Sequence, residues 1–144
     1  MLEQRQLESG EARQRLALTG EHYFSSNAKL FFRFDTERKL LEEKRIHVEG
    51  VNHNGAIDYH ESFLWAGFLR GPVGDEKLVP KLNRSIIVKV DPQNLTIIQT
   101  WDITKDLTWI TPVCFDETYL WVSDLGIHRY CINDQELVRD SVFR

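Results

Sequence analysis

His53, Asn54 and Asp58 fall within one short stretch, HNGAID, which carries an imidazole, an amide and a carboxylate. Imidazole and carboxylate ligands together suit a divalent cation, and the same groups can hold a polar ligand by hydrogen bonds. Further along the chain stand Arg70, a cation, Asp106, a second acid, and Trp109, an indole able to stack a ligand. No second histidine lies at ligand spacing from His53, so the pattern favours a histidine that satisfies loop carbonyls over a metal ligand. Asp58 better suits a structural acid accepting a turn N–H, and Trp109 better suits packing between structural units. The sequence holds no G-x-S-x-G, C-x-x-C or H-E-x-x-H motif and no phosphate-cradling glycine loop, which removes the familiar signatures of nucleophilic, redox and metalloprotease chemistry.

The elements that must position these residues are written three times. Leu16–Ser25 (LALTGEHYFS), Ile57–Ala66 (IDYHESFLWA) and Val113–Val122 (VCFDETYLWV) share an apolar strand, a polar turn and an aromatic-rich strand. Phe24, Trp65 and Trp121 occupy equivalent places, and the repetition predicts all three in the core. A second repeated block places a basic residue among apolar ones: Phe31–Asp35, Ile87–Asp91 and Ile127–Cys131. After each comes a turn and another alternating run, Leu40–Val48, Leu95–Ile103 and Leu137–Phe143. Alternation with aromatic and β-branched enrichment, bounded by Gly, Asp, Asn and Pro, predicts strands. The expectation is an all-β chain of twelve strands in three antiparallel groups of four, spanning about 12–48, 52–104 and 109–143, after a polar segment 1–11. The middle group carries an insertion, Leu69–Arg84, between its second and third strands.

The chain of 144 residues is the size of one ordinary domain, enough to bury a core. Charged residues make up 28% and hydrophobic ones 42%, and the net charge is −4. That balance argues against a nucleic-acid surface, which needs a basic stripe. No apolar run approaches the roughly eighteen residues of a membrane span, and the start, MLEQRQLESGEARQR, lacks the apolar core of a secretory signal. The two cysteines, Cys114 and Cys131, fall on strands two apart, roughly 9–10 Å and beyond disulfide reach, so both are expected to be buried thiols. Asn83-Arg84-Ser85 and Asn94-Leu95-Thr96 match the N-glycosylation acceptor pattern.

The run Asp116-Glu117-Thr118-Tyr119-Leu120-Trp121-Val122-Ser123-Asp124, followed by Ile127-His128-Arg129-Tyr130, resembles blades of NHL-like, YVTN-like and glutaminyl-cyclase-like β-propellers. Without the insertion the repeat period is about forty residues, within the range of four-stranded propeller blades. The resemblance covers roughly Ala12 to Phe143 and implies a partial propeller of three blades. It also implies a ligand rim, because the connection between second and third strands and the link between blades emerge on one side. That rim collects the insertion Leu69–Arg84, the linker His47–Asn54 and the linker Lys105–Trp109. His60 belongs to the opposite rim, and His22 and His128 are expected in outer strands of other units.

Closed propellers have about four to eight blades, so three leave two sheet faces open. Either the chain is part of a longer protein that supplies the missing blades, or two copies pair into a six-bladed ring. The function expected from this reading is a binding or scaffold module for a protein or small-molecule ligand, using His53, Asn54, Asp58, Arg70, Asp106 and Trp109. The alternative is a hydrolase-, lactonase- or cyclase-like propeller enzyme with a divalent cation such as calcium at the channel mouth. That alternative requires His53, Asp58 and acids such as Asp106 to converge on one point.

Overall fold

The computed structural model describes residues 16–71, 83–107, 109–110, 112–133 and 135–144. The polar segment 1–11 and most of the insertion, residues 72–82, lie outside the described residues. Twelve strands and no helix are present among those described. They are β1 (Leu16–Leu18), β2 (Tyr23–Ser26), β3 (Leu30–Phe34), β4 (Leu40–Arg45), β5 (His53–His60), β6 (Phe63–Leu69), β7 (Ser85–Asp91), β8 (Thr96–Asp102), β9 (Val113–Phe115), β10 (Leu120–Ser123), β11 (Ile127–Asn133) and β12 (Glu136–Phe143). They form three four-stranded antiparallel meanders in chain order, β1–β4, β5–β8 and β9–β12. The expected all-β architecture of three groups of four is therefore the one observed.

Local chemistry sets the turns. Glu61 and Ser62 both have positive φ, at 47° and 70°, the backbone required of a two-residue hairpin loop whose twist matches the flanking strands. The third turn of each sheet repeats one device: Arg38, Leu95 and Gln135 each adopt positive φ. Asp35 and Asp91 brace their turns with side-chain oxygens that accept backbone N–H groups two residues on, the Asx-turn bond. The pairing shifts register just after Arg33, Lys89 and Arg129, at the same place in each sheet. Such a bulge bends the strand and increases its twist, so the repeated basic residue marks where each outer strand turns away.

The sheets stack in series, with β5 packed against both β1 and β9. One core cluster joins the first sheet to the second through Phe24, Phe31, Ile57, Phe68 and Val88. Another joins the second to the third through Trp65, Ile87, Ile110, Val113, Leu120 and Tyr130. The middle sheet is covered on both sides, which explains why β6 (FLWAGFL) and β7 (SIIVKVD) read as almost continuous apolar runs. The outermost strands β4, β8 and β12 are mostly exposed.

Each sheet has a rear face, toward the preceding sheet, and a forward face, toward the next. On the forward faces an aromatic and a basic residue are cross-strand partners: Phe24 with Arg33, Trp65 with Lys89, and Trp121 with Arg129. The Lys89 ammonium lies 4.0 Å from the centroid of Phe63, and the Arg129 guanidinium 4.3 Å from that of Tyr119, both within cation–π range. The forward face of one sheet also grips the third turn of the next. Arg33 donates to the carbonyls of Pro92 and Gln93, and Lys44 to that of Asn94. In the next interface the side chains of Gln99 and Trp101 both donate to the carbonyl of Gln135.

Two expectations are corrected here. Phe24 and Trp65 are buried, at 1% and 3% exposure, but Trp121 is only half-buried because no fourth sheet among the described residues covers its face. Cys114 and Cys131 carry no disulfide, and both are half-exposed rather than buried, since both lie on that same forward face of the third sheet.

Candidate functional site

In these antiparallel meanders the β4–β5 link, the β6–β7 connection and the β8–β9 link leave the middle sheet on one rim. The tie that organises this rim is between Asn52 and Gly71. The Asn52 side chain donates to the Gly71 carbonyl at 3.0 Å and accepts the Gly71 N–H at 2.9 Å. The Asn52 N–H donates to the carbonyl of Leu69 at 3.1 Å. Both hydrogen-bonding groups of the amide are thus spent on one residue, which fixes the linker against the end of β6. Nearby, the N–H of Arg70 donates to the carbonyl of Arg84 at 3.0 Å. The Ser85 hydroxyl accepts the N–H of Ile110 at 3.3 Å, and that bond anchors the chain just after Trp109.

Trp109 projects onto this rim at 36% exposure, with its ring edge 3.5 Å from where a Gly71 side chain would begin. His53 opens β5 opposite Leu69, and Arg70 adjoins Gly71, so His53, Arg70 and Trp109 flank the Asn52–Gly71 tie. Beneath them Arg84 pairs with Asp102 at 3.0 Å and approaches Gly50, whose φ is 77°. Burial alone pushes the Asp102 carboxyl up. The bonds it accepts from Thr104 and the charge of Arg84 outweigh that and hold it below the usual carboxylate range.

The other expected residues lie apart from this patch. Asn54 is buried at 4% exposure between the first two sheets. Its N–H donates to the Ala28 carbonyl at 2.9 Å, and its side-chain nitrogen has no partner. Asp58 points from the forward face of the middle sheet and accepts the N–H of Phe115 at 2.7 Å, so it joins the second sheet to the third. Asp106 accepts the Tyr130 hydroxyl at 3.2 Å and lies 3.5 Å from the Arg139 guanidinium. It lines a cleft of about 620 Å³ between β8 and β12, with Trp101, Lys105 and Leu137. Burial first, and the Asp106 charge and hydrogen bond second, raise the Tyr130 hydroxyl well above the ordinary phenol range.

His53, Asp58 and Asp106 therefore do not converge. Asp58 spends an oxygen on a backbone N–H and Asp106 is shared between Tyr130 and Arg139. Among the described residues no three His, Cys, Asp or Glu side chains gather as a metal needs. These residues do not fit the calcium that the enzyme-like resemblance implies.

Two features lie outside the expected set of site residues. His128 is buried in β11, with one ring nitrogen 2.9 Å from Asp124 and the other buried without a partner. The signal was present in Asp124-Leu125-Gly126-Ile127-His128, whose tight turn lets positions four apart meet across a hairpin. On the opposite rim, Thr19, His22, Arg33, Tyr59, Ser62 and Gln93 line a cleft of about 650 Å³ between the first two sheets. Of the two acceptor triplets, Asn83 is buried whereas Asn94 stands exposed in its turn.

Compared with known proteins, the sequence matches no protein-family model and no curated protein.

Proposed function

We propose that this chain is a binding module of partial β-propeller type that holds a protein or small-molecule ligand on the rim around Trp109. One observation carries the reading: a large exposed indole sits against backbone that Asn52 fixes with both of its hydrogen-bonding groups. An aromatic surface held rigidly loses little conformational freedom on binding, so more of its contact energy appears as affinity. The insertion that begins at Leu69 leaves the middle sheet at this same rim, and long connections are where binding residues concentrate on a rigid scaffold. The ligand chemistry that suits the patch is a planar or ring-bearing group, which stacks on the indole while carbonyls and amides of the linker supply polar contacts.

The test is a ligand-observed magnetic resonance screen of small aromatic compounds against the purified chain. Hits are expected to lose affinity about tenfold in Trp109→Ala, the scale of one well-placed aromatic contact. Leu41→Ala, on the exposed strand β4, is expected to leave them unchanged. Hits indifferent to Trp109→Ala, or lost instead on changing Arg33 in the opposite cleft, would place binding elsewhere and overturn the proposal.

A further inference from the structure

The two interfaces between sheets follow one plan and are filled differently. In the second, the His60 imidazole lies flat on Phe115 of the third sheet, with ring centroids 4.0 Å apart and planes 2° from parallel. Trp65 closes the same space. It tilts against Phe115 at 4.8 Å, and its indole N–H reaches the His60 carbonyl.

Each of these positions has a counterpart in the first interface. Tyr59 pairs with Leu64 as Phe115 pairs with Leu120, so both hold one register position on a rear face. Thr19 meets His22 across the first hairpin as His60 meets Phe63 across the second. Phe24, opposite Ala17, takes the register of Trp65, opposite Asp58. Two large rings are thus replaced by smaller groups, His60 by Thr19 and Trp65 by Phe24. The space left is the cleft of about 650 Å³ on the rim opposite Trp109, bordered by Thr19, Phe24, Arg33, Tyr59, Ser62 and Gln93. Among the described residues no ring stacks on Tyr59. The turns around the cleft are fixed by their own bonds. The Thr19 hydroxyl accepts the N–H groups of Glu21 and His22, and Arg33 donates to the carbonyls of Pro92 and Gln93. Neither turn folds inward to fill the gap.

We infer that this cleft binds a small ligand through a heteroaromatic ring of imidazole size, stacked on Tyr59 in the place that His60 takes on Phe115. Paired rings gain more than their buried area alone supplies. The Ser62 hydroxyl and the Gln93 amide line the same cleft and offer both donors and acceptors to ring nitrogens and polar substituents. This site does not rest on the Trp109 rim, and imidazoles are scored apart from the compounds screened there.

The experiment is a magnetic resonance titration of the full chain with imidazole, read at the Tyr59 ring and at the amides of Ser62 and Gln93. Wild type is expected to show saturable shifts at all three. Tyr59→Leu is expected to weaken binding about fivefold, the scale of one stacked ring pair. Thr19→His supplies the ring from the chain itself and is expected to abolish binding. Thr19→Ala loses the same turn hydroxyl without filling the cleft and is expected to keep binding, as is Trp109→Ala. Circular dichroism checks the fold of each variant, and Tyr59→Leu decides the matter should Thr19→His unfold. No saturable shift in wild type would overturn the inference, as would binding unchanged in Tyr59→Leu or retained in folded Thr19→His. Binding lost in Thr19→Ala or in Trp109→Ala would also overturn it.

Discussion

Trp65→Ala is expected to cost about 3–5 kcal/mol, whereas Trp121→Ala at the equivalent position is expected to cost about 1 kcal/mol or less. The two residues share a register position and a basic cross-strand partner, so a difference this large has its origin outside their own sheets. The Trp65 ring stacks on Trp101 with centroids 5.3 Å apart and tilts against Phe115 at 4.8 Å. Its indole N–H reaches the His60 carbonyl. Removing it opens a cavity at the centre of the second core cluster, walled by β-sheet on both sides and slow to collapse. Trp121 touches Tyr119 and Phe143 at the open end and donates to Asp116 at 2.7 Å, and solvent can replace what it leaves. Urea unfolding of both variants measures the contrast. Equal losses would contradict the assignment of Trp121 to an uncovered face.

Gly67→Ala is the second large effect, an expected loss of about 1–3 kcal/mol from a single added methyl group. Gly67 lies on the forward face of β6, where a side-chain carbon would fall 2.7 and 2.8 Å from Ile110 and 3.3 Å from Val113. Ile110 and Val113 are both fully buried, and the N–H of Ile110 is tied to Ser85, so neither can retreat without moving the start of the third sheet. Shrinking the obstacle is expected to restore part of the loss, because residues in contact do not act additively. Gly67→Ala combined with Ile110→Val should be more stable than the sum of the single changes. A neutral Gly67→Ala would mean that the second and third sheets are not in the close contact described.

The three sheets were legible because strand alternation and turn chemistry are local and the chain repeats them. LALTGEHYFS, IDYHESFLWA and VCFDETYLWV align without gaps, and each became the first hairpin of its sheet. The position of His53, Arg70 and Trp109 on one rim followed from strand direction, again a local rule. What the sequence hid was the choice of partners across sheets. Asp58 meets the backbone of a residue 57 positions away and Tyr130 meets Asp106 across 24, and no local pattern announces either bond. Repetition also misled in one respect. It correctly equated Phe24, Trp65 and Trp121 in register, yet burial comes from the next sheet, and among the described residues the third sheet has none after it. His128 lies outside the inner strand of its sheet as expected, but its burial beside Asp124 depends on a turn whose spacing the alternation pattern does not mark.

The serial stacking on which the rim, the open faces and both large effects depend is tested most directly by amide hydrogen exchange at Phe115. Its N–H leaves the third sheet to meet the carboxylate of Asp58 in the second, and no contact within its own sheet replaces that acceptor. The bond is partly buried, and leaving its donor without an acceptor costs on the order of 1 kcal/mol or more. In Asp58→Ala the Phe115 amide is therefore expected to exchange about tenfold faster or more, while amides of β2 in the first sheet keep their protection. A Phe115 amide that exchanges freely in the wild type, or that is indifferent to the change at Asp58, would contradict the stack.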